Sequence, residues 1–162
     1  MRYRHLEISH GGSKPTDKEL QAIEAAVGAK LPPDFKVFLA AANGATIPYS
    51  VNARSADSDD PLNFREILDT DGDGEGTFLG ELAALRARWN IPLGVLPFAR
   101  EYGDSFALLD LRPQTYGAIL AFLTDLQPET AMRGEPVFIR LADSFGAYVD
   151  SLVPELSDEA FG

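Results

Sequence analysis

Apolar positions in the first quarter of the chain recur at helical spacing. Thr16-Asp17-Lys18-Glu19 is a capping-box pattern that follows Pro15 and precedes Leu20, Ile23, Ala26 and Val27, which predicts a helix ending at Gly28. A second helix is predicted from Pro32-Pro33-Asp34, where proline suits a first turn. It would bury Phe35, Phe38, Leu39 and Ala42 and stop at Asn43-Gly44 in a left-handed cap. The two read as a helical hairpin.

Beyond Gly44 the period changes. Ala45 to Val51 reads as a short strand, Asn52 to Asp60 as a polar exposed loop, and Asn63 to Leu68 as a strand or a helical turn. Asp69-Thr70-Asp71-Gly72-Asp73-Gly74-Glu75-Gly76 is too glycine-rich and too self-repelling for a regular element. An amphipathic helix follows from Phe78 to Trp89, with Leu79, Leu82, Leu85 and Trp89 on one face. The C-terminal half reads as a meander: runs at Gly94 to Ala99 and Ser105 to Leu111 flank a turn at Tyr102-Gly103-Asp104, and Ala118 to Thr124 and Val137 to Leu141 supply two more. A closing helix is predicted from Asp143 to Leu152, ahead of Pro154, and residues 155–162 are expected to fray. No repeat or linker divides the chain, so 1–162 is read as a single domain.

Composition sharpens this. A chain of 162 residues is long enough to bury roughly 70% of the surface its unfolded form exposes. With 45% hydrophobic residues, 10 Phe, 5 Tyr and 1 Trp it is globular in type. No apolar run approaches the roughly 18 residues of a membrane span. Met1 to Glu7 carries basic residues but no apolar segment or cleavage site of a secretory signal, so the expected location is cytoplasmic. The absence of cysteine excludes disulfides, thiol catalysis and Cys-based zinc sites.

The net charge of −11 is unevenly spread: residues 55–81 carry nine acidic groups against Arg65 alone. Such a chain suits neither nucleic acid nor an anionic membrane, whereas a basic protein partner would be steered to it. Solubility is the simplest alternative explanation.

Candidate chemistry is sparse. Asp69, Asp71, Asp73 and Gly74 match positions 1, 3, 5 and 6 of a calcium loop, but position 8 is Gly76, and position 12 is Gly80, with Glu81 one residue late. The stretch therefore reads first as an exposed acidic loop, with calcium or a partner protein as the other readings. Gly72, Gly74, Gly76 and Gly80 fit no phosphate-binding pattern, and the carboxylates around them would repel a nucleotide. No G-x-S-x-G occurs, and the only histidines, His5 and His10, lie near an N-terminus expected to be loosely held, five residues apart on no common face. Trp89 is read as core, and Asp104 and Asp110 as turn caps around the Phe106–Leu109 run. No catalytic residue, metal ligand set or cofactor is implied.

Four stretches nevertheless carry a resemblance. Leu31-Pro32-Pro33-Asp34-Phe35-Lys36-Val37-Phe38-Leu39 running into Asn43-Gly44 resembles the "LP-x-D-[YF]-x-x-[FL]-L … NG" signature of the SUKH superfamily. Pro92 to Ala99, Gly103-Asp104-Ser105-Phe106 leading to Leu109-Asp110, and Ile139 to Phe145 with Tyr148, Val149 and Leu152 agree with it in order, over about residues 14–153. The superfamily includes the yeast cell-wall-assembly regulator domain, and many of its bacterial members are immunity proteins that neutralise secreted polymorphic toxins, often nucleases. The resemblance implies an α+β fold, a mostly antiparallel sheet packed against helices, and no common catalytic residue. The insert at about 52–76 lies outside the signature, where recognition would sit in a scaffold whose members face different partners. The expectation is a non-enzymatic protein-binding domain, an immunity protein masking a basic toxin domain with Asp57, Asp59, Asp60, Asp69, Asp71, Asp73 and Glu75, the alternative being a housekeeping regulatory adaptor with an endogenous partner.

Overall fold

A computed structural model describes residues 2–9, 11–52, 61–101, 105–124, 127 and 136–154. In chain order the elements are β1 (Arg2–Tyr3), β2 (Leu6–Glu7), α1 (Asp17–Val27), α2 (Pro33–Ala42), β3 (Tyr49–Asn52), β4 (Pro61–Leu62), β5 (Glu66–Ile67), α3 (Phe78–Arg88), β6 (Val95–Arg100), β7 (Ser105–Asp110), β8 (Ala118–Leu123), β9 (Ile139–Ala142), α4 (Phe145–Ser151) and β10 (Val153–Pro154). The main sheet runs β5-β6-β7-β8-β9 with every pair antiparallel, and β10-β3-β4 forms a smaller antiparallel sheet. The fold is α+β, as the order of elements implied. The Tyr102-Gly103-Asp104 turn, Asn52 to Asp60 beyond the first residue, and the 155–162 tail lie outside the described residues.

Local chemistry sets the helix ends. Thr16 Oγ1 accepts from Glu19 N at 3.1 Å while Glu19 Oε1 accepts from Thr16 N at 2.8 Å, so the capping box is complete. Gly28 ends α1 at φ 83°. At the end of α2 the left-handed residue is Gly44, φ 68°, one position after the cap Asn43. Thr77 caps α3 and Ser144 caps α4, each accepting from the backbone three residues on. Although α1 and α2 follow one another across a short connection, the closest packing of α1 is to α3, and that of α2 is to α4 and β1.

Alternation along β7 and β8 divides the interior in two. Ala107, Leu109, Ile119 and Ala121 face the helical layer, where Phe35 meets Phe38, Phe78, Phe98 and Phe145 at ring separations of 5.2 to 6.3 Å. Phe106, Leu108, Leu120 and Phe122 face the other way, onto Leu85, Trp89 and Ile91. Trp89 is thus core, edge-to-face with Phe122 at 5.4 Å. Pro97 cannot donate to a ladder, and the β6–β7 register shifts between Pro97 and Ala99.

The N-terminus departs from expectation. Leu6 is fully buried, Ile8 nearly so, and His5 Nε2 lies 2.9 Å from the Leu152 carbonyl, so the β1–β2 hairpin belongs to the core rather than preceding it. Its short apolar alternation carries no helical signal, and only the tertiary contact reveals it. Asp110, 1% exposed, does cap a turn as expected. It accepts from Arg112 N, Nε and Nη2, each at 3.0 Å, and from Thr115 Oγ1 at 2.6 Å.

Candidate partner-binding face

Residues 69–77 are irregular, as their composition requires, yet closed by their own hydrogen bonds. Asp69 N donates to the Gly76 carbonyl at 2.9 Å and Phe78 N to the Asp69 carbonyl at 3.0 Å, a parallel bridge that brings the two ends of the turn together. Asp69 Oδ1 accepts from Asp71 N at 2.9 Å, an Asx turn, and Thr77 Oγ1 donates to the Gly74 carbonyl at 2.7 Å while capping α3. Gly72 and Gly76 take φ of 89° and 82°, which other residues adopt only under strain. Gly80 serves by close approach: a Cβ there would overlap the Gly74 carbonyl oxygen and stand 2.6 Å from that of Asp73.

Inside this turn lies a charge cluster centred on Arg100, the last residue of β6. Its Nε donates to Glu66 Oε2 at 2.7 Å across the β5–β6 pair, and its Nη1 donates to Glu81 Oε1 at 2.9 Å and stands 3.5 Å from Glu75 Oε1. Burial weighs against the guanidinium charge, but the Glu66 hydrogen bond and the charges of Glu66, Glu81 and Glu75 outweigh it and raise its pKa. Glu81 is buried and also accepts from Gly76 N at 3.2 Å, so α3 holds the turn and the arginine with one carboxylate.

The cluster floors an open groove of about 440 Å³ between residues 44–46, β5 and the turn, with Glu66, Asp69, Asp71 and Glu75 on its walls. Asp71, Asp73 and Glu75 are exposed, while Asp69 is half-buried with one oxygen engaged in the Asx turn. Three of the carboxylates expected from sequence, Asp69, Asp71 and Glu75, therefore line this groove, and Asp73 lines the neighbouring depression with Glu75 and Glu81. Asp57, Asp59 and Asp60 lie outside the described residues. Among the described residues no three His, Cys, Asp or Glu side chains converge to hold a metal, and Glu81, the carboxylate one place late for a calcium loop, is turned onto Arg100. Sequence reasoning missed Glu66, Glu81 and Arg100. Recognising that Glu66 faces Arg100 requires the β5–β6 register, and two-residue β5 carries no periodic signal.

The arrangement defines an α+β domain that presents a carboxylate-walled groove with a single arginine already neutralised at its floor. The model of the SMI1 / KNR4 family (SUKH-1) matches residues 14–151, and the chain belongs to that family. No curated protein matches it. Among the described residues no helix is long and apolar enough to cross a membrane.

Proposed function

We propose that this protein is a non-enzymatic immunity protein that masks a basic toxin domain with the acidic face built on residues 66–81. The observation that carries the reading is the groove: Asp71, Asp73 and Glu75 stand in solvent on a turn closed by its own backbone, while Arg100 beneath them is already matched by Glu66 and Glu81. The face is thus anionic in excess and fixed in shape, which favours rapid capture of a cationic surface at little ordering cost. Membership of a family that includes toxin-neutralising proteins supports the same reading. A nuclease holds phosphates with basic residues, and carboxylates set in a row compete for that surface. Asp57, Asp59 and Asp60 extend the same charge along the chain.

The test is a tagged pull-down from the native organism at two salt concentrations, with partners identified by mass spectrometry, followed by kinetics on the chain carrying Asn at 57, 59, 60, 69, 71 and 73. A single basic toxin domain released by salt, captured more slowly and with a flatter salt dependence by the substituted chain, supports the proposal. Recovery of endogenous envelope or signalling proteins replaces it with the adaptor reading, and an unchanged rate and salt slope removes the acidic face from it.

A further inference from the structure

A buried amide joins the helical layer to the acidic turn. Asn43, at the end of α2, is 4% exposed. Its Nδ2 donates to the Ser13 carbonyl at 2.8 Å and to Thr70 Oγ1 at 2.9 Å, and its Oδ1 accepts from Thr70 N at 2.9 Å. The orientation of the amide follows from chemistry: Thr70 N–H can only donate and the Ser13 carbonyl can only accept, so the two ends of the side chain are not interchangeable. Thr70 is 3% exposed and donates its hydroxyl proton to Glu19 Oε1 at 3.3 Å, the same oxygen that closes the α1 capping box. The main chain adds to the joint, with Gly12 N donating to the Asn43 carbonyl at 2.6 Å and Gly44 N to the Leu68 carbonyl at 3.2 Å.

Few side chains can occupy this place. Aspartate cannot donate to Ser13, glutamine carries the amide one methylene too far, and serine spans neither pair of partners. What Asn43 grips is the residue between Asp69 and Asp71. On the other side of the joint Asp69 lies against Gly44, where a Cβ would stand 2.7 Å from Asp69 Oδ2. The hydrogen bonds within 69–78 fix the shape of the turn and tie it to α3; the Asn43–Thr70 pair is what ties its root to α1 and α2.

We propose that Asn43 is the positioning residue of the acidic face: by holding both the N–H and the hydroxyl of Thr70 it sets the direction in which Asp69 and Asp71 are presented. The functional consequence rests on the partner-binding reading above, whereas the positioning itself does not. Loss of the amide releases the root of the turn and leaves the sheet intact, because no strand of the main sheet depends on it.

The experiment is amide hydrogen exchange, residue by residue, on the wild-type chain and on Asn43→Ala and Thr70→Val, with binding of a decalysine peptide measured alongside at low salt. Exchange at the root of the turn, at Thr70, whose N–H loses its acceptor, and at Gly12 and Gly44 beside it, is expected to rise at least about tenfold in Asn43→Ala, with the Leu108 and Leu120 amides of the sheet changed less than about twofold. Thr70→Val conserves volume and keeps its N–H, so it folds even where Asn43→Ala does not, and it is expected to raise exchange at the same amides by a smaller factor. Wild-type exchange at these amides in both variants overturns the proposal, as does an equal rise at every amide, which would make Asn43 an ordinary core residue. Weaker decalysine binding by the variants links the joint to the face. Failure of the wild-type chain to bind the peptide removes the partner-binding reading, and the exchange pattern still decides the role of Asn43.

Discussion

Replacing Arg100 with methionine keeps the aliphatic stem and removes the charge, and its cost is set by which carboxylate is stranded. The two short bonds, 2.7 Å to Glu66 and 2.9 Å to Glu81, are charge-assisted, a type of bond that contributes about 1.5–3 kcal/mol. Glu66 and Glu75 have side chains 47% and 85% exposed; water takes over their solvation, so each loses only the ~0–1 kcal/mol of a surface pair. Glu81 is 10% exposed at its side chain and, among the described residues, keeps the Gly76 N–H alone. Stranding one member of a fully buried pair costs about 3–5 kcal/mol, and the partial exposure of Arg100 lowers that to about 2–3 kcal/mol here. For a domain of this size that is a fall of about 4–12 °C in melting temperature. Urea and thermal unfolding of Arg100→Met, Glu81→Gln, Glu66→Gln and Glu75→Gln measure it, and Arg100→Met with Glu81→Met closes a double-mutant cycle that should recover most of the loss. A loss below about 1 kcal/mol in Arg100→Met, or a Glu75→Gln variant as costly as Glu81→Gln, would refute the assignment of Glu81 as the buried partner.

Three further outcomes are expected. Gly80→Ala forces residues 73–74 off the first turn of α3 and should cost about 1–3 kcal/mol in urea unfolding; an unchanged midpoint would mean the turn does not pack there. Burial raises the Asp110 pKa, but bonds from Arg112 and Thr115 outweigh it and hold the carboxyl below its usual range. The unfolded chain therefore binds more protons there, and the stability Asp110 supplies is present above about pH 4 and is lost as pH falls through the folded value. Asp110→Asn should be less stable by about 1.5–3 kcal/mol at pH 7 with a flatter acid limb, and parallel pH curves for the two proteins would contradict this. Deleting residues 1–9 removes Leu6 and Ile8, both buried, at about 1.5–3 kcal/mol each, and a melting temperature equal to wild type would show that the hairpin is not part of the core.

The fold was legible where a periodic pattern coincided with a terminal signal. Thr16, Glu19 and Gly28 mark α1 because the groups that satisfy its end are local in sequence, and the same holds for Asn43-Gly44 and for Ser144. β6, β7 and β8 are six-residue runs buried on both faces, long enough to register as continuous apolar stretches. The two-residue strands are different. β1, β2, β4, β5 and β10 are too short for any period; β1 and β2 pair with each other, and β4, β5 and β10 exist because a partner strand, β3 or β6, completes them. Ala45 to Val51 was legible as extended, but its pairing is divided: Thr46 bridges Ser9 and Glu66, and only from Tyr49 does a strand form, against β10 and β4.

The acidic face shows why charge is easier to read than geometry. Asp69, Asp71, Asp73 and Glu75 announce themselves because like charges between glycines cannot be core, and the turn does expose the last three. What converts that run into a surface of fixed shape comes from residues whose types are unremarkable in sequence: Asn43, Thr70, Glu81 and Arg100. Glu81 falls on a helix with its neighbour Leu82 buried beside it, and nothing local distinguishes it from a solvated glutamate. Its role exists only once Arg100, nineteen residues on, arrives at 2.9 Å. The run is held from below by Arg100, matched by Glu66 and Glu81, and at its root by the Asn43–Thr70 hydrogen bonds, with the Asp71 and Asp73 side chains left in solvent. On the proposed immunity reading this combination matters, because charge alone would attract a basic surface without selecting the orientation in which it docks.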